Sequence, residues 1–226
     1  MYGNKSLVYR VIWALRRGLR MSPMQRLFRE LKRRGVPLGQ MDALELFGAD
    51  GLRHTLDYCH SVHSLEIWEM DDKYLPGLRK NFPKARIKIT DSFKELESTP
   101  NTYDLLVSDE PGQVFGKNQE YCEHFELLTE DLFRVVRSSA LIILNAVPDP
   151  LRQSPNANRY PYYPGYLEKR RMFYGSDHPE HISIAEMIPA YRRVLSINGF
   201  SLDWHVNVRR TIRGGVHYLA LKVSRI

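Results

Sequence analysis

The chain has 226 residues, of which 43% are hydrophobic and 26% charged. That length suits one domain with a sizeable core, and the composition excludes a disordered or low-complexity chain. The net charge is +7, and the two cysteines, Cys59 and Cys122, have no metal-ligand spacing. A disulfide framework is thereby excluded, and a reducing, cytoplasmic setting is expected.

Residues 1–40 read as a basic helical extension. The first residues show no signal-peptide pattern, and the apolar stretch LVYRVIWAL is interrupted by Arg10 and too short to span a membrane. Basic side chains recur from Lys5 through Arg16, Arg17, Arg26 and Arg29 to Arg34. Three readings fit them: a solvated helix face, a site for an anionic substrate including nucleic acid, and peripheral contact with an anionic membrane. In the third, Val8, Val11, Ile12, Trp13 and Leu15 form the apolar side.

From residue 41 strands and helices alternate. MDALELF reads as a strand, LRHTLDYCH as a helix and HSLEIWE as a second strand. DDKYLPGLRKNF reads as a helix in which Pro76 and Gly77 sit awkwardly in the first turns. ARIKIT is a third strand, DSFKELES a short helix and TYDLLVS a fourth strand. NQEYCEHFELLTEDLFRVV is expected to be one long amphipathic helix, with Cys122 packed inside it, and SALIILNAV a fully apolar fifth strand. Strands separated by helices imply a parallel sheet covered on both faces. ISIAEMIPAYRRVLSINGF reads as a helix stopped at Asn198-Gly199. SLDWHVNVR and VHYLALKVSRI then alternate as an antiparallel hairpin at the end of the sheet. Residues 147–180, dense in proline and tyrosine, fit no element and are expected to form a substrate lid or insertion.

Ligands of open parallel sheets bind beyond the strands' carboxyl ends, where strand order reverses. The turn after the first strand, Glu45-Leu46-Phe47-Gly48-Ala49-Asp50-Gly51, has glycines that permit a sharp bend. A helix opening near Leu52 is expected to aim free N–H groups at the same space. Glu69 closes the second strand, where an acid can accept hydrogen bonds from both hydroxyls of a ribose.

With these residues the segment 41–146 resembles class I S-adenosylmethionine-dependent methyltransferases. The resemblance implies a three-layer α/β/α Rossmann-like fold with a mostly parallel seven-stranded sheet and an antiparallel C-terminal hairpin, the domain running over 41–226. It implies S-adenosylmethionine as cofactor, held by Glu45, Phe47, Gly48, Ala49, Asp50 and Gly51, by Glu69 with Met70, and by Asp91, Ser92 and Phe93 of TDSF. Asp109, in YDLLVSDEPG, falls at the position facing both cofactor and acceptor, and is expected to be the catalytic residue, as general base or cofactor contact. The sequence lacks the Asn/Asp-Pro-Pro-aromatic signature of base amino-methylating enzymes and the Pro-Cys of cytosine-C5 enzymes, which lowers the case for a nucleic-acid acceptor.

The expected reaction is therefore methyl transfer to an oxygen or nitrogen of a small-molecule or glycan-type acceptor. Tyr162 and Tyr163 could stack on that acceptor, with Arg152, Arg159, Lys169, Arg170 and Arg171 suited to an anionic group on it. His178 and His181 could serve as base or, with Asp177 and Glu180, as metal ligands. A capping loop before the last helix is the favoured reading there, and no metal is expected. Ala49-Asp50-Gly51 and the layout after Asp109 are also similar to the spermidine synthase family, whose N-terminal β domain has no counterpart here. A non-catalytic relative binding RNA or a partner through the basic N-terminus is the third reading.

Overall fold

The computed structural model describes residues 21–52, 54–109, 114–115, 121–122, 124–148, 165–210 and 215–226. A seven-stranded sheet is built from β1 (Asp42–Glu45), β2 (Ser64–Glu69), β3 (Arg86–Ile89), β4 (Tyr103–Val107), β7 (Val136–Ala146), β8 (Phe200–Arg209) and β9 (His217–Arg225). Its order is β3-β2-β1-β4-β7-β9-β8. The five strands from β3 to β7 run parallel, and β9 lies antiparallel between β7 and β8. Strand order reverses between β1 and β4, which pair in register Glu45 to Val107. The three-layer fold with its C-terminal hairpin is as expected from the sequence.

The apolar runs in the inner strands bury both faces, as a covered parallel sheet requires. Leu44, Trp68, Leu106, Ile142 and Leu221 belong to one core. Their strand neighbours Ala43, Ile67, Leu105, Leu141 and Ala220 belong to the other. The first core is closed by α4 (Ser92–Ser98), α5 (Glu130–Arg134) and α7 (Ile184–Ile197), the second by α1 (Pro23–Arg33), α2 (Thr55–Tyr58) and α3 (Leu75–Asn81).

Helix α1 starts at a Ser22–Gln25 capping box and buries Met24, Leu27, Phe28 and Leu31, with Phe28 stacked on Tyr58 at 4.9 Å. Its basic residues Arg26, Arg29, Lys32 and Arg33 occupy the exposed side. Residues 1–20, with the apolar side proposed for membrane contact, lie outside the described residues. Among those described, no helix is long and apolar enough to cross a membrane.

Pro76 proves well placed. A 3-10 turn (Asp72–Tyr74) precedes α3, and Pro76 falls in the first helical turn, where its missing N–H costs no intrahelical bond. Gly199, at φ +78, follows the Asn198 cap of α7 as the stop signal predicts.

Three expectations are corrected. The long helix over 118–136 does not form. Tyr121–Cys122 (β6) pairs instead with Val114–Phe115 (β5), a 3-10 turn covers His124–Leu127, and Thr129 caps the separate α5. The Thr129 hydroxyl accepts the Leu132 N–H, a bond that favours a helix start over a helix interior. Cys122 is thus in a strand and not a helix. Second, the insertion contains a helix, α6 (Tyr166–Tyr174), bounded by Gly165 and Gly175 in left-handed conformation. Third, the helix after the glycine turn begins at Thr55, not near Leu52, and has four residues.

Candidate active site

The turn after β1 is fixed by short backbone bonds. Gly48 N–H donates to Trp68 O at 2.9 Å, and Gly51 N–H to Gly48 O at 2.8 Å. A Cβ on Gly48 would lie 2.3 Å from Ile67 Cγ2, and one on Gly51, at φ +64, would lie 2.1 Å from the Phe82 ring. Gly48 is therefore required by close packing, and Gly51 by close packing and by its left-handed backbone. Ala49 takes φ +43, a left-handed conformation rare outside glycine. Leu52 N–H, expected to face a ligand, donates instead to Asp50 Oδ1 at 3.1 Å.

Glu69 clasps this turn to the end of β2. Its Oε2 accepts the Ala49 N–H at 2.5 Å and its Oε1 accepts the Asp71 N–H at 2.8 Å. The side chain is half-buried, and the following Met70 is exposed. Each carboxylate oxygen has a further lone pair for an incoming hydroxyl.

Glu45 faces inward and is fully buried, accepting the Tyr58 hydroxyl at 2.5 Å and the Thr55 hydroxyl at 3.4 Å. Asp91 caps α4, accepting from Phe93 N–H at 3.0 Å. Ser92 is buried and donates to Leu46 O, tying α4 to the end of β1. The Phe47 and Phe93 rings stand 6.4 Å apart. The structure thus gathers Glu45, Phe47, the glycine turn, Glu69, Asp91, Ser92 and Phe93 at the carboxyl ends of β1, β2 and β3.

Asp109 follows β4 across the reversal point and is 2% exposed. Its Oδ1 accepts from Asn145 Nδ2 at 3.0 Å and pairs with the Arg210 guanidinium at 3.0 Å. Its Oδ2 accepts from the Tyr218 hydroxyl at 2.8 Å and pairs with His54 Nδ1. Four donors therefore meet one carboxylate. Burial works to raise this carboxyl, but the His54 and Arg210 charges and the Asn145 amide outweigh it and hold it below the usual carboxylate range. Burial, with the Asp109 charge beside it, pushes ionisation of the Tyr218 hydroxyl well above its usual range.

His54, Arg210, Tyr218 and Asn145 were not among the residues singled out from sequence. They come from the glycine-turn helix, the end of β8, the start of β9 and the end of β7. The β7–β9 ladder sets Asn145 opposite Tyr218 and the β8–β9 ladder carries Arg210 beside them, and no local spacing signals either.

The anion-binding set proposed around the insertion is largely committed elsewhere. Arg170 is fully buried, its guanidinium donating to Pro179 O at 2.7 Å and Val147 O at 2.9 Å. Lys169 pairs with Glu126 at 2.6 Å and Arg171 with Glu168 at 3.0 Å. Arg170 therefore fastens α6 to the end of β7. Tyr162, Tyr163, Arg152 and Arg159 lie outside the described residues. His181 is exposed beside the Ser183–Glu186 capping box of α7, and His178 reaches Glu180 at 3.8 Å. No group of three or more metal-ligating side chains occurs among the described residues.

No family model matches the sequence, and no curated protein matches it significantly. Solved structures do match. Magnesium protoporphyrin IX methyltransferase (ChlM) of Synechocystis PCC 6803, with SAH bound, aligns at TM-score 0.54 and 12% identity over 90% of this chain and 81% of its own. TYW2 of M. jannaschii, in complex with AdoMet, aligns at TM-score 0.51 and 13% identity over 88% and 76%. A candidate RNA methyltransferase from Pyrococcus horikoshii aligns at TM-score 0.50 and 13% identity over 90% and 84%. The chain has the class I methyltransferase fold. In this methyltransferase fold the glycine turn, Glu69 and Asp109 surround the point where the sheet reverses, the crevice that such sheets use for ligands.

Proposed function

We propose that the protein is an S-adenosylmethionine-dependent methyltransferase acting on an oxygen or nitrogen of a small-molecule or glycan-type acceptor. The observation that carries this is the clasp of Glu69 on the glycine turn, at the reversal point of a sheet with the methyltransferase strand order. The donor set suits the cofactor's parts. Glu69 is half-buried at a strand end, with lone pairs suited to ribose hydroxyls. Phe47 and Phe93 offer apolar faces for a purine, and Asp91 offers a carboxylate for its amino group.

When bound, the cofactor supplies a methyl group on a positively charged sulfur. The protein's own residues align the acceptor and remove one proton from it. Asp109 enters this proposal as the buried anchor of the reaction centre.

Calorimetry with S-adenosylmethionine, S-adenosylhomocysteine and the decarboxylated cofactor tests the reading. Binding of the first two, sharply weakened by Glu69→Ala and Asp50→Ala, is expected. Unchanged affinity in both variants would sink it, and preference for the decarboxylated form would promote aminopropyl transfer. A nucleic-acid acceptor is the second reading, favoured by the net charge of +7 and the exposed basic side of α1. Salt-dependent RNA binding lost on neutralising Arg26, Arg29 and Arg33 would support it.

A further inference from the structure

The Asp109 cluster determines where protons sit on His54. Paired with the always-charged Arg210 guanidinium at 3.0 Å, Asp109 is ionised and can only accept. Tyr218 has one hydroxyl proton, which it donates to Asp109 Oδ2 at 2.8 Å. Its oxygen meanwhile accepts Arg210 Nε–H at 3.0 Å. Tyr218 therefore has no second proton for His54 Nδ1, 3.1 Å away. The proton between His54 and Asp109 must belong to Nδ1. In the neutral ring the lone pair is then on Nε2.

The side-chain bonds of His54 all run through Nδ1 among the described residues, and its side chain remains 15% exposed while that of Asp109 is fully covered. His54 sits three residues beyond Gly51, opposite the end of β4. The carboxylate is saturated and out of reach, whereas the imidazole edge above it is not.

We propose that His54, held through Nδ1 by Asp109, presents Nε2 to the crevice as the group that takes the acceptor's proton. This rests on the methyltransferase reading. The proton passes from an acceptor O–H or N–H to Nε2, and its bonding electrons stay on the acceptor atom as the attacking pair. The resulting imidazolium is stabilised by the Asp109 carboxylate and returns its proton to water. Asp109, Tyr218 and Arg210 are positioning residues, which fix the tautomer and ring plane without touching the acceptor. A base of this kind serves protic acceptors and needs no metal.

The test uses the full chain and three readouts. Calorimetry with S-adenosylhomocysteine first asks whether the cofactor site exists. Long-range nitrogen NMR at pH 8.5, where an ordinary imidazole is neutral, then reads the His54 tautomer, the signal being assigned by its loss in His54→Gln. Diethyl pyrocarbonate labelling with peptide mapping finally asks whether the ring nitrogen is reachable. The expected results are an Nδ1–H tautomer, an Nε2 signal that moves with S-adenosylhomocysteine, and labelling slowed at least about tenfold by saturating S-adenosylhomocysteine. An Nε2–H tautomer, or labelling that bound S-adenosylhomocysteine does not slow, would overturn the role of His54 while leaving the cofactor reading intact. Failure of S-adenosylhomocysteine to bind would remove the cofactor reading and this inference with it. Tyr218→Phe, which keeps Asp109 and should fold, is expected to retain the Nδ1–H tautomer. Its loss there would show that the carboxylate does not fix the ring.

Discussion

Two strand-end acids flank the crevice, and their surroundings differ. Glu69, after β2, is half-buried and holds two backbone N–H groups, one from the glycine turn and one from its own strand end. Asp109, after β4, is fully covered and holds four side-chain donors drawn from distant parts of the chain. The first arrangement keeps acceptor capacity for an incoming hydroxyl. The second has none left and acts only by holding its neighbours. An acid at a strand end is thus one signal in sequence and two devices in the fold.

Breaking the Asp109 side should have the larger effect. Asp109→Asn leaves Arg210 without its buried counter-charge and is expected to cost about 3–5 kcal/mol in denaturant unfolding. Next comes the turn that Glu69 clasps. Gly51→Ala forces a Cβ into Phe82 at positive φ and should cost about 2–4 kcal/mol, with cofactor-analogue binding lost in step. Glu69→Gln sharpens the contrast. It should weaken S-adenosylhomocysteine binding by about tenfold, the scale of about one charged hydrogen bond, and lower the melting temperature less than Gly51→Ala, since the amide oxygen keeps one of the two N–H bonds.

The pH response should also separate the two acids. The folded Asp109 carboxyl titrates below its unfolded value, so its stabilisation is fully present above about pH 4 and is lost as pH falls through the folded value. Wild type and Asp109→Asn should therefore converge in stability only in acid. The smallest effect belongs to the exposed Asp71–Lys73 pair, next to Glu69 in sequence. Lys73→Ala should leave the melting temperature unchanged within error and serve as the control.

Much of the frame was legible because it rests on short-range rules. The apolar runs at 42–45 and 64–69, the glycine bend and the Asn198-Gly199 stop each carry their signal within a few residues. The long helix over 118–136 misled because its apolar spacing is helical throughout, while Thr129 supplies a cap that competes with it. Arg170 read as a partner for an anionic group on the acceptor, since nothing local announces that Pro179 O and Val147 O will enclose it. His54 was passed over for the same reason. Its partners lie 55 and 164 positions away, and only the completed sheet joins them.

The strand order has a consequence for synthesis. β9 follows β8 in the chain yet takes the inner place, between β7 and β8. As the polypeptide emerges, β8 has no sheet neighbour until β9 arrives, and Asp109 is without Tyr218 for just as long. The Asp109 cluster therefore stays incomplete until β9 has entered the sheet. A nascent chain stalled before His217 would carry an open sheet edge and a half-countered acid, the state in which aggregation or chaperone capture should be greatest.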